Sequence, residues 1–285
     1  MSAEAQPTIS VCLPARNEAP TIGAIVAETV RLDRVTEVVV LDDGSTDDTA
    51  AVATAAGARV VAEASVLPEA GQGSGKGNAM WKSLYVCRGD IICWVDADLR
   101  NFHGEYVERL CAPLLDQPDT MFVKAFFTRS FEGAPTGGGR VTELVARPLL
   151  SLLFPKLADI VQPLGGEYAA RRTALEVLPF VEGWGVELGL LVDVVERFGR
   201  PAVAQVDLDV REHRNRSLED LGPQALAVMT IALRRALLLP EATAPLVEFL
   251  RALPDGTIHA EAVEVRERPP IITVPAYRER FAPPR

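Results

Sequence analysis

Apolar and polar positions in the first 130 residues fall in blocks. Short apolar runs at 8–13, 37–41, 59–62 and 91–95 are each bounded by turn residues. Unbroken apolar runs of this length predict strands buried on both faces, as in a parallel sheet. Between them, 21–30 and 78–86 carry helical patterning. Asp42-Asp43-Gly44-Ser45-Thr46-Asp47 reads as a turn, with Ser45 or Thr46 placed to cap the next helix. Alternating strands and helices predict a doubly wound, mostly parallel α/β sheet over 1–130.

The texture changes after Phe127. Gly137-Gly138-Gly139 precedes a helical stretch at 140–154, and turns follow at Gly165-Gly166-Glu167-Tyr168 and Gly183-Trp184-Gly185-Val186-Glu187. A strand is expected at 205–210, a basic loop at 211–216 and a long helix at 218–238. The expected organisation is a sheet-built core at 1–130, a mainly helical part at 131–265 and an extended tail at 266–285, where Pro and Arg dominate.

The chain has 285 residues, room for one large α/β domain or a core with an appendage. Its formal net charge of −10 argues against a nucleic-acid partner, so an anionic ligand needs locally focused positive charge. The four cysteines form no C-x-x-C pair and are expected as reduced core residues of a cytosolic protein. The short polar N-terminus lacks a signal-peptide pattern. The apolar stretch 144–161 is broken by Arg147, Pro148, Pro155, Lys156 and Asp159, which excludes a membrane span there.

The chemistry starts at Asp96-Ala97-Asp98, which ends the 91–95 run. Strands of such sheets deliver functional groups at their carboxyl ends. Two adjacent carboxylates there call for a cation, and a divalent metal carrying a phosphate-bearing substrate suits them. The same reasoning sends Asp42-Asp43 into the crevice. His213, one of three histidines, is a candidate metal ligand among Arg211, Arg214 and Arg216. Gly71-Gln72-Gly73-Ser74-Gly75-Lys76-Gly77 is not a P-loop: Ala70 and Gly77 occupy the positions of the first Gly and the Ser/Thr. Lys76 remains free to meet a diphosphate or a uracil edge. Gly137-Gly138-Gly139-Arg140-Val141-Thr142 reads as a second anion site, with backbone N–H groups, a guanidinium and a hydroxyl converging.

Pro14-Ala15-Arg16-Asn17-Glu18, Leu41-Asp42-Asp43-Gly44-Ser45-Thr46-Asp47 and the D-x-D triplet, in this order, resemble the signatures of nucleotide-sugar glycosyltransferases of the GT-A fold. The runs from Gly137 to Leu150, from Gln162 to Ala170 and His213-Arg214-Asn215-Arg216 are similar to the glucosyl-3-phosphoglycerate synthase family. The resemblance implies a GT-A type, Rossmann-like, mostly parallel sheet with helices on both faces and a C-terminal, mainly helical acceptor-binding part. It implies transfer of glucose from UDP-glucose to the 2-hydroxyl of 3-phosphoglycerate with retention, using Mg2+ or Mn2+, by a cytoplasmic homodimer. In actinobacterial relatives the product primes methylglucose lipopolysaccharide synthesis.

Carried over residue by residue, Pro14, Ala15, Glu18, Asp43, Lys76, Asp96, Ala97, Gly166 and Arg211 would bind the donor. Asp98 and His213 would hold the metal, and Gly139, Arg140, Thr142 and Asn215 the acceptor. Asp98, Glu187, Arg140 and Leu164 are the catalytic candidates. Relatives often carry Ser where Asp43 stands and Tyr where Trp184 stands. Three alternatives stay open: mannosyl transfer from GDP-mannose, transfer to a polyprenyl phosphate, and a non-catalytic nucleotide-sugar sensor.

Overall fold

The computed structural model describes residues 6–129, 139–211, 217–239 and 245–281. The first half runs β1 (Ile9–Ala15), α1 (Ala19–Thr29), β2 (Val35–Asp42), α2 (Thr49–Ala55), β3 (Arg59–Ala62), α3 (Gly75–Val86), β4 (Ile91–Trp94), α4 (Glu105–Asp116) and β5 (Phe122–Arg129). Then come α5 (Arg147–Leu153), β6 (Tyr168–Arg171), α6 (Arg172–Leu175), β7 (Phe180–Val181), α7 (Val186–Phe198), β8 (Val203–Arg211) and α8 (Leu218–Arg235). A hairpin of β9 (Leu246–Ala252) and β10 (Ile258–Glu264), then β11 (Glu267–Arg268) and α9 (Pro275–Phe281), complete the described chain.

Seven strands form the main sheet in the order β3-β2-β1-β4-β6-β5-β8. The β3–β2, β2–β1, β1–β4 and β5–β8 pairs are parallel, and β6 runs antiparallel to both of its neighbours. The predicted apolar runs became strands because both faces of this sheet are covered. Ile91 and Cys93 pack into one core layer, and Ile92 and Trp94 into the other. The period of two sends alternate residues to opposite layers, so every position of such a strand is apolar.

The helix expected at 218–238 is α8. Ser217 starts it with a capping box, its Oγ accepting from the Asp220 N–H at 3.2 Å. The helix expected at 140–154 opens as a π-turn over Thr142–Ala146 and continues as α5. The four cysteines are free and buried.

Three features depart from expectation. The mainly helical second part also carries the β9–β10 hairpin, whose Val247, Phe249 and Val263 pack with Ala227 and Ile231 of α8. Strand β6 continues out of the turn expected at 165–168; Tyr168-Ala169-Ala170-Arg171 is too short and too rich in alanine to carry a strand pattern of its own. The tail is not extended over 266–281: β11 pairs with β7, and α9 buries Tyr277 to 1% exposure. Its Pro and Arg content misled because Arg268 is satisfied internally, while Ile271 and Tyr277 supply apolar anchors.

Candidate active site

The carboxyl ends of β1, β2 and β4 form one rim. In the parallel register Ala15 lies opposite Asp42, and the Asp43 N–H donates to the Ala15 carbonyl at 2.9 Å. Asn17 sits in the left-handed region, with φ +58°. Its N–H donates to Ser45 Oγ at 3.0 Å, and its Oδ1 accepts from the Thr46 N–H at 2.8 Å. The Glu18 N–H donates to Thr49 Oγ1 at 2.8 Å, and Thr21 Oγ1 donates to the Ala97 carbonyl at 2.6 Å. These bonds join the loop after β1 to both the Asp42-Asp43 turn and the D-x-D loop. Pro14, Ala15, Glu18, Asp43 and Ala97 therefore belong to one wall. Asp42 caps its own turn, accepting from the Ser45 N–H at 3.3 Å. Burial and the nearby Glu63 raise the Asp43 pKa, opposed by Arg16 at 3.9 Å.

A charged cluster stands beside this wall. Lys76, in the first turn of α3, places Nζ 2.5 Å from Asp96 Oδ1, 3.3 Å from Glu187 Oε1 and 3.2 Å from the Gly166 carbonyl. Glu187 is in the first turn of α7 and only 8% exposed. Burial acts to lower the Lys76 pKa, but Asp96, Glu187 and Glu167 outweigh it and move it upward. Lys76 is thus a permanent cation at neutral pH. Gly166 has no room for a side chain: a Cβ there would strike the Asp96 carboxylate and the Lys76 ammonium. The glycine-rich approach to α3 is a packing surface. A Cβ at Gly77 would run into the Val181 carbonyl of β7, so the position where a P-loop has a hydroxyl is closed by backbone.

On the second part, Gly139 adopts φ +77°, a conformation strained for any side chain, and is followed by Arg140 at the helix entry. Thr142 is 3% exposed. Leu164 lies in the loop before Gly165 and Gly166 and packs against the core; only its main-chain groups offer polar chemistry. Trp184 precedes α7 and is 38% exposed. Arg211 ends β8. His213, Asn215 and Gly137-Gly138 lie outside the described residues.

The donor set suits Mg2+ or Mn2+: Asp98 offers hard carboxylate oxygen beyond the end of β4, whereas Asp96 packs its carboxylate against Gly166 and Lys76. Among the described residues no three His, Cys, Asp or Glu side chains gather to bind a metal.

Sequence reasoning missed four contributors: Glu167, 1% exposed next to Gly166; Lys124, 1% exposed in β5; and the pair Arg268 and Glu182, which brace the loop before Lys76. The available signal for Lys124 was a lone lysine within Phe122-Val123-Lys124-Ala125-Phe126-Phe127. Nothing local marked Arg268.

A parallel-strand rim carrying a D-x-D pair and a lysine–carboxylate cluster defines the class: residues 10–176 match Glycosyl transferase family 2, on a GT-A type fold. The chain is 48% identical to a glucosyl-3-phosphoglycerate synthase of Mycolicibacterium paratuberculosis (strain ATCC BAA-968 / K-10), over 95% of this chain and 85% of that protein. It is also similar to solved structures of glucosyl-3-phosphoglycerate synthase from Mycobacterium tuberculosis. One, in complex with Mn2+, UDP-glucose and phosphoglyceric acid, has TM-score 0.84 at 45% identity, covering 94% of this chain and 91% of that one. Another, with Mg2+ and UDP, has TM-score 0.85 at 45% identity, covering 94% and 92%. The chain belongs to the glucosyl-3-phosphoglycerate synthase family.

Proposed function

We propose that this chain transfers glucose from UDP-glucose to the 2-hydroxyl of 3-phosphoglycerate, with retention at the anomeric carbon and dependence on Mg2+ or Mn2+. The observation that carries the reading is the convergence of Lys76, Asp96, Gly166 and Glu187 at the strand rim, in a chain similar to the relative solved with Mn2+, UDP-glucose and phosphoglyceric acid. Pro14, Ala15, Glu18 and Asp43 line the uridine side, and Lys76 and Asp96 continue the donor site toward the diphosphate and ribose. Glu187 accepts from the sugar hydroxyls, with Gly166 and Arg211 beside it. Gly139, Arg140, Thr142 and Asn215 seat the phosphoglycerate.

Asp98 and His213 hold the divalent cation, which neutralises the diphosphate as the glycosidic bond breaks and is worth several kcal/mol. Arg140 and the adjacent N–H groups orient the acceptor hydroxyl; positioning of this kind supplies up to roughly 7–11 kcal/mol. Front-face attack accounts for retention, with the departing phosphate oxygen taking the acceptor proton. The ion pair between Glu187 and Lys76 supports this route, since a paired carboxylate is a poorer nucleophile for a covalent intermediate.

The same reading makes the protein a cytoplasmic homodimer whose product feeds methylglucose lipopolysaccharide synthesis. Among the described residues no helix is long and apolar enough to cross a membrane. Exposed Leu246, Leu250 and Ile258 on the hairpin supply an apolar face for a second copy. The deciding assay offers UDP-glucose or GDP-mannose with 3-phosphoglycerate, with and without Mg2+, and reads nucleotide release. UDP release is expected only when donor, acceptor and metal are all present. Comparable turnover of GDP-mannose would overturn the donor assignment, and release independent of 3-phosphoglycerate the acceptor assignment.

A further inference from the structure

We propose that Lys124 is a positioning residue for the transfer, fixing the peptide planes of the 164–166 loop beside the Asp96–Glu187 cluster; the inference rests on the transferase reading above. Lys124 is the third residue of β5 and is 1% exposed. Its Nζ donates to the Gly165 carbonyl and lies 4.4 Å from the centre of the Tyr168 ring. Lys76 donates to the next carbonyl, that of Gly166, at 3.2 Å. Two lysine amines from different elements therefore hold two consecutive carbonyls, which leaves the intervening peptide little freedom to rotate.

The rest of the loop is fastened to the same strand. The Ala125 N–H donates to the Glu167 carbonyl at 3.1 Å, and Gln162 Nε2 donates to the Phe127 carbonyl at 3.3 Å. Gly165 closes a turn on the Gln162 carbonyl at 3.1 Å. Lys124 is the ionisable member of this row, and a buried amine is an expensive way to hold a loop. Burial, together with the repulsion of Lys76, outweighs the pull of Glu187, Glu167 and Asp96 and brings its pKa down to about 7. A methionine would fill the same slot at lower energetic cost, so packing does not explain the lysine. The placement of the Gly165 carbonyl does, because that carbonyl lies between Leu164 and Gly166, against which Asp96 and Lys76 pack.

The test compares Lys124→Met and Lys124→Gln with the parent protein. Readouts are kcat and KM for UDP-glucose and 3-phosphoglycerate, UDP affinity in the presence of Mg2+, and thermal melting. Lys124→Met is expected to lower kcat about 10- to 100-fold, the scale of loss from small misplacement of reacting groups. UDP affinity should stay within about 2-fold and melting should shift little, since relief of the buried amine's desolvation offsets the orphaned Gly165 carbonyl. Lys124→Gln, which keeps an N–H donor without charge, should recover part of the kcat. Parent-level kcat in Lys124→Met overturns the inference. So does loss of UDP affinity in step with kcat, which marks a purely structural role. Should Lys124→Met fail to fold, Lys124→Gln decides alone: lowered kcat with intact UDP affinity supports the assignment, and unchanged kcat or a parallel loss refutes it. Absence of turnover in the parent protein would instead refute the transferase reading.

Discussion

Replacing Arg268 with Met should destabilise the protein and weaken donor binding together. The guanidinium is 5% exposed, with Nε 2.6 Å from Glu182 Oε1 and 2.8 Å from Asn78 Oδ1. Its other nitrogens donate to the carbonyls of Ala70 at 2.7 Å and Gly71 at 3.1 Å. Glu182 is 0% exposed and also accepts from the Ser74 N–H at 3.3 Å, so one buried pair braces the loop that leads into Lys76. Removing one partner of a buried ion pair costs about 3–5 kcal/mol. Two orphaned carbonyls add to this, on the order of 1 kcal/mol each. Protonation of Glu182 offsets part of the loss, because burial already raises its pKa against the pull of Arg268. The net expectation is about 3–5 kcal/mol.

A carboxyl whose folded pKa lies above its unfolded value binds more protons in the folded state, so its contribution falls as pH rises above the unfolded pKa. The deficit of Arg268→Met should therefore be larger at pH 8 than at about pH 5. Urea unfolding of the parent, Arg268→Met, Glu182→Gln and the double variant, followed by tryptophan fluorescence, measures the coupling. The double variant should be more stable than Arg268→Met, and the donor KM of Arg268→Met should rise more than its acceptor KM. Strict additivity of the two substitutions, or a deficit independent of pH, would refute the argument.

The other expectations concern the metal and the acceptor. Asp98→Ala should abolish most turnover while unfolding within about 0.5 kcal/mol of the parent, since a half-exposed carboxylate leaves no cavity; unchanged turnover would remove Asp98 from the metal site. Chelation with EDTA should stop turnover and leave the circular dichroism spectrum intact, with activity restored by Mg2+ or Mn2+. Arg140→Ala should raise the KM for 3-phosphoglycerate about tenfold or more, the worth of a charge-assisted phosphate contact. The KM for UDP-glucose should move much less, and equal effects on both would dissolve the separate acceptor seat.

Strands β1, β2 and β4 and the D-x-D pair at the carboxyl end of β4 were legible in the chain, because a strand covered on both faces is apolar at nearly every position and needs no knowledge of its neighbours; β3, at the sheet edge, showed as a short apolar run after Arg59. The carboxylates after such a strand were equally legible, since the end of a parallel strand is where functional groups emerge. Tertiary structure alone decided that β6 enters between β4 and β5, that the tail folds back, and that Lys124 and Arg268 are buried. Arg268 meets Asn78 across 190 residues, and Lys124 meets Gly165 across 41. The free energy of burying a charge is set by the partners that surround it, and those partners arrive from distant segments only when the chain has folded.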